Sequence, residues 1–152
     1  MTEQPALRPA LSADGSAVVA LWEACGLVAA YNPPLSDFMR AIEAPSSTIL
    51  IAECGGQLAG SVMVADDGHR GWIYYLAVSP PFQRQGIAQF LISQAETWAQ
   101  DRGVRKIQLM IRPSNDSVRE FYNKAGYADT PRLVMAKWLD KEVAANSPED
   151  RS

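Results

Sequence analysis

Cysteine is scarce. Cys25 and Cys54 are the two in 152 residues, too few and too far apart for a disulfide framework or a metal site. Both are expected as reduced thiols, which suits a cytoplasmic protein. No apolar run approaches the length of a membrane span, and the N-terminus carries no signal-peptide pattern. Positive charge is not in excess either. A net charge of −3 offers no basic field to nucleic acid or to an anionic membrane, and it tolerates a cationic or amine partner better than a polyanion. Internal repeats, low-complexity tracts and linkers are also absent. What remains is ordinary globular material, 47% hydrophobic and 20% charged, long enough to bury one core.

One absence is local. From Ser79 through Ala95 there is no Asp or Glu, although a helix dipole favours acids in the first turn. The stretch begins after Trp72–Val78, seven uncharged residues rich in aromatic and β-branched types, which reads as a strand buried on both faces. Ser79-Pro80-Pro81 ends that strand, because proline has no donor for the ladder. From Gly86 the apolar residues Ile87, Phe90, Leu91, Ala95 and Trp98 fall near a helical period, and Gly103 stops the helix. The turn between strand and helix offers Gln83, Arg84, Gln85 and Gly86. Free N–H groups, a glycine and a cation suit a phosphate or pyrophosphate, and an ordinary turn without acids fits equally well.

The rest of the chain follows from period and punctuation. Ala6–Ala10 reads as a first strand with Pro9 at an edge, and Ser12 or Asp14 as the cap of a helix with Val18, Leu21, Trp22 and Cys25 inward. Tyr31–Pro34 is a loop, since consecutive prolines exclude regular structure; Ser36 caps a short helix through about Glu43. Thr48–Glu53 and Gln57–Val64 are hairpin partners across Cys54-Gly55-Gly56, and residues 66–71 form a tight connection into the strand at Trp72. Lys106–Ile111 alternates as a strand. Val118, Phe121, Tyr122 and Ala125 form the stripe of a helix capped by Ser114 or Asn115, and Leu133–Leu139 is a last strand. The order β-α-α-β-β-β-α-β-α-β predicts an α+β (mixed α/β) fold, a mixed sheet with helices on both faces. Residues 1–139 are expected as one domain and 140–152 as a polar tail, mobile or a frayed helix.

Gln83-Arg84-Gln85-Gly86-Ile87-Ala88 resembles the Q/R-x-x-G-x-G/A signature of the GCN5-related N-acetyltransferase (GNAT) superfamily. Asn115-Asp116-Ser117-Val118-Arg119-Glu120-Phe121-Tyr122-Asn123-Lys124-Ala125-Gly126-Tyr127 is similar to that family's N-x-x-(small)-x-x-(apolar)-Y-x-x-x-G-(F/Y) segment. The likeness is closest from Trp72 to Tyr127. It implies a small bacterial-type single-domain member with acetyl-CoA or coenzyme A as co-substrate and no metal. It further implies that the amides of Gln83 to Ala88 bind the pyrophosphate and that Asn115 bonds the pantetheine arm. Backbone groups near Leu76, Ala77 and Val78 would pair with pantetheine where the strand splays from its parallel neighbour. Tyr122 would be the general acid for the departing thiolate, which suits a phenol with an ordinary pKa of about 10; in the residues alone, Tyr122 is also a core aromatic.

The sequence departs from relatives that acetylate protein N-termini, where a Glu stands five residues before the motif Asn. Here that position is Met110. Asp66, Asp67 and His69, or a water held by carbonyls, remain as proton acceptors, though all three side chains also fit turn chemistry. Arg119 and Lys124 face a nucleotide phosphate or are solvated helix charges. The expected activity is transfer of an acetyl group to a primary amine on a small molecule, peptide or protein, with no nucleic-acid or membrane partner and a homodimer possible. The alternative is a coenzyme A-binding sensor or interaction module without turnover. A mononucleotide P-loop is the weaker third reading, since the turn lacks Gly-Lys-Ser/Thr.

Overall fold

Apolar alternation and tight turns build the sheet, and helical stripes cover it. The computed structural model describes residues 4–146, and the chain divides after Met110 into two units. In the first, β1 (Ala6–Pro9), β2 (Ser47–Cys54), β3 (Gln57–Asp66), β4 (Gly71–Val78) and β5 (Ile107–Gln108) form one sheet in the order β1-β2-β3-β4-β5. The first three pairings are antiparallel and β4–β5 is parallel. This mixed sheet, with α1 (Gly15–Ala24), α2 (Pro34–Glu43) and α3 (Ile87–Asp101), is the expected fold class. The crossover from β4 through α3 to β5 joins parallel strands, as the sequence suggests.

Alternation sorts the core into two layers. Ile49, Ile51, Met63 and Ala77 pack with Val18, Leu21 and Trp22 of α1 and Phe38 and Ala41 of α2. On the other face α3 buries Ile87, Leu91, Ile92, Ala95 and Ala99. Ile92 and Ala99 thus hold inner positions assigned to Phe90 and Trp98, which are half-buried; Trp98 instead carries the Arg102 guanidinium 4.0 Å above its ring. Gly60 marks the closest approach. A Cβ there would stand 2.7 Å from the Ala77 carbonyl oxygen and 3.0 Å from Leu91 Cδ1, so only glycine lets α3 sit down on β3.

Several expectations are corrected. β2 and β3 are the strands buried on both faces, because they are central; β4 leaves Tyr74 38% exposed. Pro34 opens α2 and Ser36 does not cap it, since proline's missing N–H costs nothing in a first turn. Neither Ser12 nor Asp14 caps α1 with its side chain. The Asp14 carboxylate instead accepts from the Leu11 amide at 2.7 Å and from Arg8 at 2.8 Å. Lys106–Ile111 pairs only over Ile107–Gln108.

The second unit holds α4 (Asp116–Lys124) and α5 (Lys141–Asn146). Leu133–Leu139 is not a strand. Leu133, Val134, Met135 and Leu139 are 94%, 69%, 93% and 86% exposed, and this unit has no other strand among the described residues to complete a ladder. Part of the expected tail is ordered as α5, whose first turn is capped by Asp140 Oδ1 accepting from the Glu142 and Val143 amides at 3.0 and 3.2 Å; residues 147–152 lie outside the described residues.

Candidate active site

The turn after β4 has unusual backbone geometry. A 3-10 turn at Pro80–Phe82 leads into Gln83–Gly86, where Arg84 has φ +62° and Gly86 φ +83°. The left-handed Gly86 is the residue before α3, which opens with no side-chain cap and no acid in its first turn. The first amides of a helix have no partner within it, so those of Ile87 and Ala88 open toward the turn. Gln83, Arg84, Gln85 and Gly86 are exposed, Ala88 is half-buried and the Ile87 side chain is a core anchor. Gln85 Nε2 donates to the Pro81 carbonyl at 3.3 Å.

β4 reaches this turn with one edge unpaired. Its parallel partner β5 meets it only at Gly71 and Trp72, so from Ile73 onward that side has no ladder among the described residues. A bulge re-aims the strand: Met63 stands opposite Tyr74 and Ser61 opposite Ala77, leaving Tyr75 and Leu76 against Val62 alone. Beyond the bulge, Ser79 N–H donates to the Ala59 carbonyl at 2.8 Å. Antiparallel alternation then turns the Ala77 backbone toward β3 and the Val78 backbone away from it. The Val78 carbonyl accepts from Cys25 Sγ at 3.4 Å and from Gln83 Nε2 at 3.1 Å, so a side chain of the turn reaches back to the open edge.

Tyr75 holds the bulge in place. Its φ of +51° is a strained value for a bulky residue. The ring stacks on Trp22 with centroids 4.0 Å apart and planes 11° from parallel, and the hydroxyl donates to Asp37 Oδ2 of α2 at 2.8 Å. Burial first, then the Asp37 bond and charge, push the Tyr75 phenol above its ordinary range. Trp22 Nε1 in turn donates to the buried Ser61 Oγ at 3.3 Å. Sequence reading singled out neither Tyr75 nor Asp37; thirty-eight residues separate them and no spacing links them.

The acidic turn before β4 is built by its own carboxylates. Asp66 Oδ1 accepts from the Gly68 amide at 2.9 Å. Asp67 Oδ1 accepts from His69 and Arg70 amides at 2.8 and 2.7 Å, and its Oδ2 accepts from Trp72 Nε1 at 2.9 Å. Those donors, the Arg70 amide foremost, hold the Asp67 carboxyl at about 2, so it stays ionised and is a weak proton acceptor at neutral pH.

In the second unit, Asn115 caps α4: its Oδ1 accepts from the Val118 amide at 3.4 Å and from Ser117 Oγ at 3.3 Å. Tyr122 lies seven residues later, about two helical turns, on the inner stripe, 7% exposed, edge-on to Phe121 at 5.0 Å and to Tyr127 at 5.4 Å. Burial pushes its phenol up to about 12. Its hydroxyl has no hydrogen-bond partner among the described residues, yet no buried side-chain oxygen there is unsatisfied, so that oxygen keeps some contact with solvent. Arg119 pairs with Asp129 and Lys124 with Glu120, as solvated helix charges do.

A family model described as acetyltransferase (GNAT) family matches residues 16–127. An acetyltransferase of Pectobacterium atrosepticum is 42% identical over 126 residues, 83% of this chain and 89% of the relative. An acetyltransferase of Sodalis glossinidius is 42% identical over 114 residues, 75% of this chain and 80% of the relative. Among solved structures, the aminoglycoside N-acetyltransferase AAC(6')-Iy in complex with CoA superposes with a TM-score of 0.77 at 18% identity, covering 90% of this chain and 95% of that one. A predicted acetyltransferase of Clostridium acetobutylicum with acetyl-CoA gives 0.73 at 19% identity, covering 90% and 98%.

Proposed function

Since this chain belongs to the acetyltransferase (GNAT) family, whose acyl donor is acetyl-CoA, we propose that it transfers the acetyl group to a primary amine by direct attack. The observation that carries this reading is the open edge of β4 running straight into an uncapped helix. The Val78 backbone, with Leu76 beside it, suits an amide-bearing arm that would take the place of the Gln83 side chain at its carbonyl, whereas the Ala77 backbone is turned toward β3 and is not open to the arm. The amides from Gln83 to Ala88, with left-handed Gly86 and the exposed Arg84, suit a diphosphate. Asn115 keeps its side chain at the start of α4, where its carbonyl oxygen serves as cap and its amide N–H groups remain available to the arm.

In the reaction, a neutral amine attacks the thioester carbonyl carbon. An N–C bond forms and the C–S bond breaks; the departing sulfur takes a proton from the acid, and the proton lost by nitrogen passes to solvent water, from which the acid is reprotonated. Tyr122 supplies the proton to sulfur: a phenol held at about 12 is fully protonated at neutral pH. The acceptor class is an amine on a small molecule or peptide, in keeping with the net negative charge of the chain. We read residues 1–139 as one functional domain, supported by a family match that runs through both units.

Thiol release from acetyl-CoA with a panel of amines tests the activity, with Tyr122→Phe alongside. Binding of coenzyme A without thiol release across the panel would favour the second reading, a coenzyme A-binding module. The Asp67 carboxylate, held ionised by three donors, is the observation on that side, since it leaves the turn without a ready base. Failure to bind coenzyme A at all would end both.

A further inference from the structure

The N-terminal half of β4 carries a feature the acetyl-transfer reading leaves unused. Trp72 and Tyr74 lie on the same face of the strand, their rings 6.4 Å apart at 22°, and Tyr74 remains exposed. The Trp72 indole N–H is fixed on Asp67 Oδ2 at 2.9 Å, and Asp67 itself is exposed. Two aromatic faces thus stand beside an anchored carboxylate, just where the β4–β5 ladder stops. Two carboxylates, Asp66 and Asp67, stand in this turn against one guanidinium, and that of Arg70 is engaged with the His69 carbonyl at 3.1 Å.

We propose that Asp67, Trp72 and Tyr74 seat a positively charged group of the acceptor, so that the preferred substrate carries a second cation besides the amine that is acetylated. A cation over an aromatic face is attracted by the ring quadrupole, most strongly by tryptophan, and an adjacent carboxylate adds a Coulomb term. The charge on Asp67 also disfavours phenolate at Tyr74, after burial, so the ring stays neutral and open to a cation. The location fits the chemistry. Tyr74 and Trp72 lie two and four residues up the strand from Leu76, across the bulge at Tyr75. A substrate with its reacting nitrogen near Leu76–Val78 would therefore lay its far cation on this ledge. This rests on β4 being the strand that faces the acyl donor.

Spermidine and n-butylamine are the probes. In heteronuclear NMR of the full chain, spermidine is expected to shift the Trp72 indole N–H, whereas glycerol at equal concentration leaves it in place. Asp67→Asn keeps the Oδ1 acceptor of the turn but loses the charge and the Oδ2 that accepts from the Trp72 indole, whereas Tyr74→Leu keeps both and an apolar side chain on the strand; measured against each variant's own ligand-free spectrum, each should weaken the spermidine response about three-fold, and raised salt should weaken it further. In thiol release, 1,4-diaminobutane should exceed n-butylamine in kcat/KM, and that preference should shrink in both variants. An indole signal unmoved by spermidine, or one that moves in Asp67→Asn and Tyr74→Leu as far as it does in the parent, overturns the proposal. A parallel coenzyme A titration keeps the two ideas apart: if the amides around Gly86 shift while the Trp72 indole does not, the donor site stands and only the cation seat falls.

Discussion

Tyr122 is a core aromatic that the proposed mechanism also uses as its acid. Its ring lies edge-on to Phe121 and to Tyr127, and the residue is 7% exposed. Burial favours the neutral phenol, so its folded pKa of about 12 lies above the unfolded value near 10. The raised pKa contributes stability fully below about pH 10, and that contribution is lost as pH climbs through 12. Activity should rise with pH as the acceptor amine loses its proton, with no falling limb from this residue below about pH 10. Tyr122→Phe retains the ring, so circular dichroism should be unchanged while kcat falls roughly 10²- to 10⁴-fold; a kcat within a factor of two of the parent would remove Tyr122 from the mechanism. The burial of Tyr122 was legible in the stripe of helical period, and its proposed role came from the motif that begins at Asn115. Asp67 was legible both as a turn residue and as a candidate proton acceptor, and its three donors favour the turn.

At the scale of elements, β4 behaves as two half-strands divided by the bulge at Tyr75 and Leu76. The run Trp72–Val78 reads as uniformly buried because composition does not reveal that β5 ends after Gln108. The same blindness to partners makes Leu133–Leu139 look like a strand. By contrast the hairpin, α3 and α4 are written locally, in glycines, caps and a 3.6 period, and form where expected. The tie from Asp37 to Tyr75 is what fastens α2 to the bulge. Tyr75→Phe keeps the stack on Trp22 and loses the hydroxyl, which should cost about 1 kcal/mol in urea unfolding. If the bulge aims the Leu76–Val78 backbone, KM for acetyl-CoA should rise more than kcat falls; an unchanged KM would assign the tie to stability alone. Gly60→Ala tests the sheet's other face. A Cβ 2.7 Å from a backbone oxygen has no flexible atom to displace, so a loss of about 1–3 kcal/mol is expected from urea melts.

For the molecule as a whole, donor binding and chemistry are assigned to different places: the turn at Gly86 in the first unit and the phenol at Tyr122 in the second. That separation can be read from linked stability without knowing the acceptor. A ligand that binds only the folded state stabilises it by RT ln(1 + [L]/Kd), about 2.7 kcal/mol at a hundredfold excess over Kd. For a chain of this length that is a rise of several degrees in Tm. Coenzyme A should therefore raise the Tm of the parent and, to the same extent, that of Tyr122→Phe, whose ring and fold are intact. Gly86→Ala should behave otherwise. At φ +83° an alanine is strained, and relaxing it would turn the first amides of α3 off their common aim. Its own Tm should drop modestly, by the strain, and the further rise with coenzyme A should be largely lost. Equal stabilisation of Gly86→Ala and the parent across a coenzyme A titration would mean that the diphosphate rests somewhere other than this turn, and the positions assigned to Gln83 through Ala88 would have to be given up together.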